Sequence, residues 1–382
     1  MLPISAAALA ALGQATRRPV RAEWSNNGGL TWTPATFGSG QVTADRKSEC
    51  RYAASIELLD APRGRSGINS ISTEIRLFQG IGVPRQGVEW IPAGRYSIDR
   101  LARTRLGLSL DLLGREDIIR SASLPAPRTI GPDTAEACAR TLVAEALPTA
   151  AIAWRDGVKR DTRMPAFVVD EDRWAALSGG TDTAGASTGI ATSLGAEIYA
   201  DATGTITVSP VPTLADPVVW RIPRHLVTAQ PAEEESTEGL VNLWVVTGDS
   251  GSGGATAGPA YAWDDSAASL TYAGPDPVAD PLAPQRLGLP SVRVRTGRYS
   301  SPLITSGAQA DDVARARLAD SLGVQASLSF TAVCNPAIEP GDVVEVEIEP
   351  GVWERHLLDS TPYTLGGIAM TCQTRTSARR LT

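Results

Sequence analysis

The chain has 382 residues and a mass of 40.1 kDa, more than one hydrophobic core usually fills, so about two to three domains are expected. With 42% hydrophobic and 20% charged residues, and no apolar run near the roughly 18 residues that cross a bilayer, the composition fits a folded chain without a membrane span. Its 35 basic against 42 acidic residues give a net charge of -7, which argues against the whole chain being a nucleic-acid or anionic-membrane binder, and two histidines, His225 and His356, leave most His-rich metal and catalytic sites short of parts.

The first residues predict a short helix with Ser5 as N-cap and Gly13 beyond its end. Arg17 and Arg18 follow the apolar stretch, the reverse of a signal peptide's charge order. From Val20 to about Leu113 the pattern is β. Trp24, the turn at 26–29 and residues 30–33 read as a hairpin, and further strands are expected over 51–59, 71–78 and 95–101. Pro125, Pro127 and Pro132 mark a linker before a helix over about 134–147, capped by Asp133 and stopped by Pro148. Helices at 172–177 and about 188–194 follow, then a hairpin of strands 197–200 and 205–211. Pro231 and the acidic run Glu233, Glu234 and Glu235 read as a solvated loop at the next boundary. After a strand at 241–248, the Gly/Ala/Pro/Asp-rich stretch 249–290 is expected to be a functional arm, ordered by Tyr261, Trp263 and Tyr272 packing either on another chain or on its own domain. A helix over 308–322, with Ser306 as N-cap and Gly323 after its end, precedes strands at 326–333, 342–349, 353–359 and 368–375. The divisions are an N-terminal helix (1–20), a β domain (21–124), a mixed α/β domain (125–235) and a second β domain (236–382).

Motifs for chemistry are sparse. Gly248-Asp249-Ser250-Gly251 imitates a serine-protease nucleophile segment, but only His225 precedes it and the segment continues as a Gly/Ser linker. Neither Lys47 nor Lys159, the only lysines, follows a Gly-rich turn, so a phosphate-binding loop is missing. Adjacent acids such as Glu171 and Asp172, or Asp264 and Asp265, read as solvated loops rather than acid/base pairs. Asp276 and Asp280, with Asp264 and Asp265, lack regular calcium-ligand spacing. His356 reads as structural. The four cysteines, Cys50, Cys138, Cys334 and Cys372, form no Cys-x-x-Cys pair and read as buried free thiols. A Cys334–Cys372 bridge is the one pairing kept open. No metal or cofactor is expected. The clearest pattern is Val344-Glu345-Val346-Glu347-Ile348-Glu349, a period-2 alternation that packs one strand face in a core and presents carboxylates on the other.

The run SLSFTAVCNPAIEPGDVVEV from Ser327, the helix before it and HLLDSTPYTLGGIAMTCQTR from His356 resemble the tail hub or minor tail proteins of long-tailed phages and prophages of GC-rich Gram-positive hosts. Asn335-Pro336 and Pro340-Gly341-Asp342 carry the most specific part. GVEWIPAGRYSIDR from Gly87, AIAWRDG from Ala151 and SLGAEIYADATGTITVSPVP from Ser193 fit the same family in the same order. The resemblance implies a relative of the baseplate hub of contractile phages, mainly β (α+β), with two β-barrel-like domains and a mixed α/β insertion. Three chains of two barrels each would imitate a sixfold ring, a homotrimer able to dock on a hexameric tail tube. It further implies a non-enzymatic virion protein at the distal tail tip, touching a distal tail or tube protein above and tip or fibre proteins below, with tape-measure protein and DNA passing in transit. Glu345, Glu347 and Glu349 would then line the channel and repel passing phosphates, and Tyr261, Trp263 and Tyr272 would be interface aromatics. The competing expectation is a tail-associated cell-wall hydrolase or a carbohydrate-binding module.

Overall fold

The computed structural model describes residues 1–62, 64, 67–179, 189–235, 240–248, 257–267, 269, 271–283, 293–322 and 326–376. Ser5 accepts the Ala8 N–H and so starts α1 (Ala6–Ala11), which buries Ala8 and Ala11. Six strands follow: β1 (Val20–Ser25), β2 (Thr33–Ala44), β3 (Tyr52–Leu59), β4 (Glu74–Val83), β5 (Gly87–Arg103) and β6 (Gly107–Gly114). Period-2 burial makes them. In β6 Leu108, Leu110 and Leu112 are buried, while Ser109 and Asp111 between them are not. Neighbours are antiparallel in the order β1-β4-β5-β6-β3-β2, and β2 pairs back with β1, so this sheet closes into a six-stranded barrel.

The chain leaves this barrel through α2 (Glu116–Ser121) and enters a mixed layer. Its elements are β7 (Arg128–Ile130), β8 (Asp133–Thr134), α3 (Ala135–Ala146), β9 (Ile152–Trp154), β10 (Arg163–Met164), β11 (Phe167–Val169), α4 (Arg173–Ser178), α5 (Ile190–Ser193), β12 (Ala196–Ala200) and β13 (Ile206–Pro210). Ile119, Leu142, Val143, Trp174, Leu177 and Ile206 share its separate core. Next come β14 (Val218–Ile222) and β15 (Val227–Glu235), and then a three-stranded sheet of β16 (Leu243–Gly248), β17 (Ala260–Trp263) and β18 (Thr296–Ser301) under α6 (Gly307–Leu322).

The last strands are β19 (Ala326–Val333), β20 (Val343–Glu349), β21 (Val352–Ser360), β22 (Tyr363–Thr364) and β23 (Ala369–Thr376). They complete a second sheet in the order β15-β19-β23-β21-β20-β14. Its outermost strands, β14 and β15, are consecutive in sequence, so residues 223–226 tie the two edges together and give a barrel-like form. Short β22 pairs with β2 on one side, Val42 opposite Tyr363, and with β23 on the other, Tyr363 opposite Met370. One backbone ladder therefore crosses from the first barrel to the second, and Leu58 and Leu110 share a single core with Phe330, Val344 and Leu358. The fold is mainly β (α+β).

Several local expectations need correction. Thr134, not Asp133, caps α3 by accepting the Ala137 N–H, because Asp133 instead accepts the N–H of Thr134 and sits in a strand. The strand expected from Ile71 begins at Glu74, since Asn69 accepts the N–H groups of Ile71 and Ser72 in a turn that leaves Ile71 95% exposed. The expected strand 95–101 belongs to the 17-residue β5, which bends through a bulge between Ile98 and Arg100. Glu233, Glu234 and Glu235 are not in a loop: their backbone pairs with Leu328, Ser327 and Ala326 of β19. β14 and β15, within the expected mixed segment 125–235, take their ladder partners from the second barrel. Gly323 and residues 249–256, with the Asp249-Ser250-Gly251 motif, lie outside the described residues.

Candidate functional site

The loop between β2 and β3, residues 45–51, is where the parts of the molecule meet. Arg46 donates from Nε to Glu197 of β12 at 2.7 Å and from Nη1 to Asp320 of α6 at 2.8 Å. Arg51 holds the other Glu197 oxygen at 2.7 Å, donates to the Pro340 carbonyl at 3.3 Å and lies 3.3 Å from the centre of the Tyr199 ring. Arg375 of β23 closes the group, reaching Asp320 at 3.0 Å and Asp359 at 3.3 Å. Four arms of the chain are thus fastened by one alternating row of arginines and carboxylates. Burial alone would raise the Glu197 and Asp320 carboxyls, but Arg51 with Arg46 for the first, and Arg46 with Arg375 for the second, hold both below the usual range.

A second cluster lies beside it. Glu74 accepts from Arg95 and stands 3.5 Å from Arg115, whose Nη1 donates to the Gly204 carbonyl at 2.8 Å. Burial pulls the Arg115 pKa down to about 10 even with Glu74 beside it. Gly204 has φ +82°, and a Cβ there would sit 2.7–2.8 Å from the Arg95 and Arg115 side chains, so only glycine lets the β12–β13 turn close on them. Glu116 is fully buried; its Oε1 accepts the N–H groups of Arg51 and Ala200.

Glu116 gives a pH test. Burial raises its pKa, against the backbone N–H groups that lower it. A carboxyl raised in the fold costs stability once the pH passes its unfolded value, and the cost disappears on protonation. Relative to wild type, Glu116→Gln should therefore gain melting temperature as the pH rises from the ordinary carboxylate range toward neutral. Calorimetric scans across that range check it, and a constant difference would contradict the shift. Glu197 and Asp320 act with the opposite sign: being lowered, they stabilise above their unfolded pKa, and this is lost as pH falls through the folded value.

Between this loop, α4, β12 and α6 lies a cleft of about 570 Å³, lined among others by Arg46, Lys47, Arg120, Trp174 and Arg317. Its carboxylates are occupied: Glu197 and Asp320 by arginines, Glu49 by Arg120, and Asp172 by the Ala175 N–H at the start of α4. Such an arrangement suits holding parts in place. The cysteines are free and buried, and His356 is buried with Nδ1 3.1 Å from Thr374 Oγ1.

The alternation in β20 has the expected physical form, with Val344 and Val346 in the core. Its carboxylates are not a bare ladder. Glu345 pairs with Arg221 at 2.6 Å and Arg355 at 3.6 Å. Glu347 accepts the N–H groups of Arg224 and Gly351, both at 3.0 Å, which hold its pKa below the usual range; Glu349 is exposed. The aromatics separate as well. Tyr261 is exposed on β17 and Trp263 half-buried, whereas Tyr272 is buried in its own chain. Asp264 holds that segment by accepting from Thr271, and Asn242 donates to the Thr271 carbonyl. The sequence reading missed Arg46, Arg51, Glu197 and Asp320, which lie as far as 274 residues apart and share no motif. The preference for arginine over lysine was their only trace.

No family model and no curated protein matches the sequence. The fold, in contrast, is that of tail proteins of known structure. A tail protein from Neisseria meningitidis MC58 aligns over 93% of this chain and 96% of its own at 13% identity, with a TM-score of 0.59. A prophage tail protein from Listeria monocytogenes EGD-e aligns over 95% of each chain at 10% identity and a TM-score of 0.54. The tail protein of prophage MuSo2 from Shewanella oneidensis aligns over 93% of this chain and 98% of its own at 12% identity, with a TM-score of 0.52.

Proposed function

We propose that this chain is a structural hub protein at the distal tip of a phage tail or tail-like particle, with no enzymatic role. The observation that carries it is the joining of two six-stranded, barrel-like sheets through β22 in a fold that aligns almost end to end with three tail proteins. As a homotrimer it would present six barrels to a sixfold tail tube or distal ring and threefold symmetry to the tip or fibre proteins, with tape-measure protein and DNA leaving through the centre. The arginine-rich composition, with only two lysines, fits a phage of GC-rich Gram-positive hosts. Glu345, Glu347 and Glu349 would face the channel. Glu347 and Glu349 would supply most of the repulsion toward phosphates, because Glu345 is already neutralised by Arg221. Tyr261 and Trp263 would serve a neighbouring chain.

The test is location. Antibody-gold labelling of intact particles from the source strain, viewed by electron microscopy, should place gold at one tail end only. Label along the sheath or on the head, or unlabelled particles with the protein free in solution, would sink the proposal.

A further inference from the structure

Four carboxylates and four basic side chains line the cleft between the 45–51 loop, α4, β12 and α6. The carboxylates all have partners, and among the basic groups Arg46 and Arg120 are held by them. Lys47 is 64% exposed and reaches Asp359 only at 3.9 Å. Arg317 has no anion: among the described residues it makes no hydrogen bond or ion pair, and its Nε is buried without a partner. Its neighbours on α6 differ, with Asp320 holding Arg46 and Arg375, and Arg315 beside Asp312. The Arg317 guanidinium instead lies 3.7 Å from the centre of the Tyr299 ring and 5.3 Å from that of Trp244. Tyr299 is fixed in turn, its OH donating to Thr192 at 3.2 Å. A planar guanidinium held against aromatic rings and left without an anion is a preorganised fork for an oxyanion.

We infer that this cleft binds an acidic peptide segment of a neighbouring protein, one Asp or Glu carboxylate meeting Arg317 and the residues beside it lying on the apolar walls. The volume of about 570 Å³ falls within the roughly 300–1,000 Å³ of ligand sites, which suits a short stretch of chain. Trp174, Ile198, Val211 and Ala316 supply apolar contact around the unmatched charge. A nucleic-acid strand fits less well, because it repeats a phosphate at every residue and Glu49 and Asp172 line the same cleft. The walls come from the first barrel, the mixed layer and α6, so a bound segment would brace three parts of the chain against one another. The inference goes beyond the hub reading and does not depend on it, since the unpaired arginine and its cleft belong to the single chain.

The test pans a random peptide library against the immobilised full chain. Enriched peptides are then synthesised with capped ends and titrated by tryptophan fluorescence, for which Trp174 and Trp244 are placed to respond. Selection on the wild type should enrich sequences with Asp or Glu beside apolar residues. R317Q should bind them about tenfold or more weakly, as should wild type offered the same peptide with Asn or Gln in place of the acid. R317K keeps the charge without the fork and should also lose most of the binding. Unchanged melting temperatures show that both variants fold, and bound peptide should slow hydrogen exchange in α4 and α6. Enriched peptides that lack an acid, or that bind R317Q as tightly as wild type, would overturn the inference. A selection that enriches nothing would overturn it too, leaving Arg317 as a cover for Trp244. Free succinate binding as tightly as the peptides would make the occupant a small carboxylate instead, and an oligonucleotide that outcompetes them would make it a nucleic acid; either overturns the peptide assignment. None of these outcomes alters where gold labels the particle, so the hub reading stands or falls separately.

Discussion

Replacing Glu197 with alanine should cost the fold roughly 3–5 kcal/mol, the usual penalty for leaving buried charge without its partner. The carboxylate is 17% exposed, and its two arginines, Arg46 and Arg51, are 8% and 5% exposed. Removing it strands both. Arg46 keeps Asp320, but Arg51 retains only the Pro340 carbonyl and the Tyr199 face, neither of which carries a full negative charge. Glu197→Gln should cost less, because it still offers one oxygen to an arginine. Urea unfolding followed by tryptophan fluorescence reads the difference, and a loss under about 1 kcal/mol would mean that water already satisfies these arginines. Because Glu197 joins the mixed layer to the first barrel, the variant should also open that boundary first, visible as earlier hydrogen exchange in β12 and the 45–51 loop.

Phe330→Ala should cost a similar roughly 3–5 kcal/mol by a different route, the cavity left in a packed core. Phe330 is 2% exposed on β19, opposite Cys372 of β23, within the core that both barrels share. Its neighbours belong to strands fixed on both sides by ladder hydrogen bonds, so they can collapse into the void only in part. Unlike the Glu197 loss, this one should be insensitive to salt and to pH, since no ionisable group changes partner. Urea midpoints at low and high salt separate the two. If Phe330→Ala proved salt-dependent, or cost below about 1.5 kcal/mol, the shared core would be looser than its burial implies.

How far the sequence could be read depended on the range of the forces involved. Strands such as 326–333 and 342–349 were legible because a period of two is a local property, and α6 was legible because Ser306 and a helical run announce it. The last turn of information needed partners. Nothing near Glu233 says that Ala326 to Leu328 will align beside it, so an acidic run read as loop becomes a strand only when β19 arrives. The 45–51 loop was opaque for the same reason: Arg46 finds Glu197 and Asp320 only after three separate parts of the chain have folded. Pattern spoke for Glu345 and Glu347, and their cross-strand and turn partners, Arg221 and the 351 N–H, were beyond it. Tyr272 shows the limit for aromatics, since an Asp264–Thr271 bond decides that it faces inward.

The register of β15 against β19 carries one more consequence. Glu235 stands directly opposite Ala326, so the stretch 236–325, with the three-stranded sheet and α6, leaves and rejoins the second barrel at adjacent rungs of one ladder. Evolution can therefore enlarge, exchange or shed that module as though it were the loop of a hairpin, without touching the strand order around it. The debt for a deletion would fall on Arg46 and Arg375, which would lose Asp320 together, so lineages that trim the module should be found to have replaced those arginines with uncharged residues.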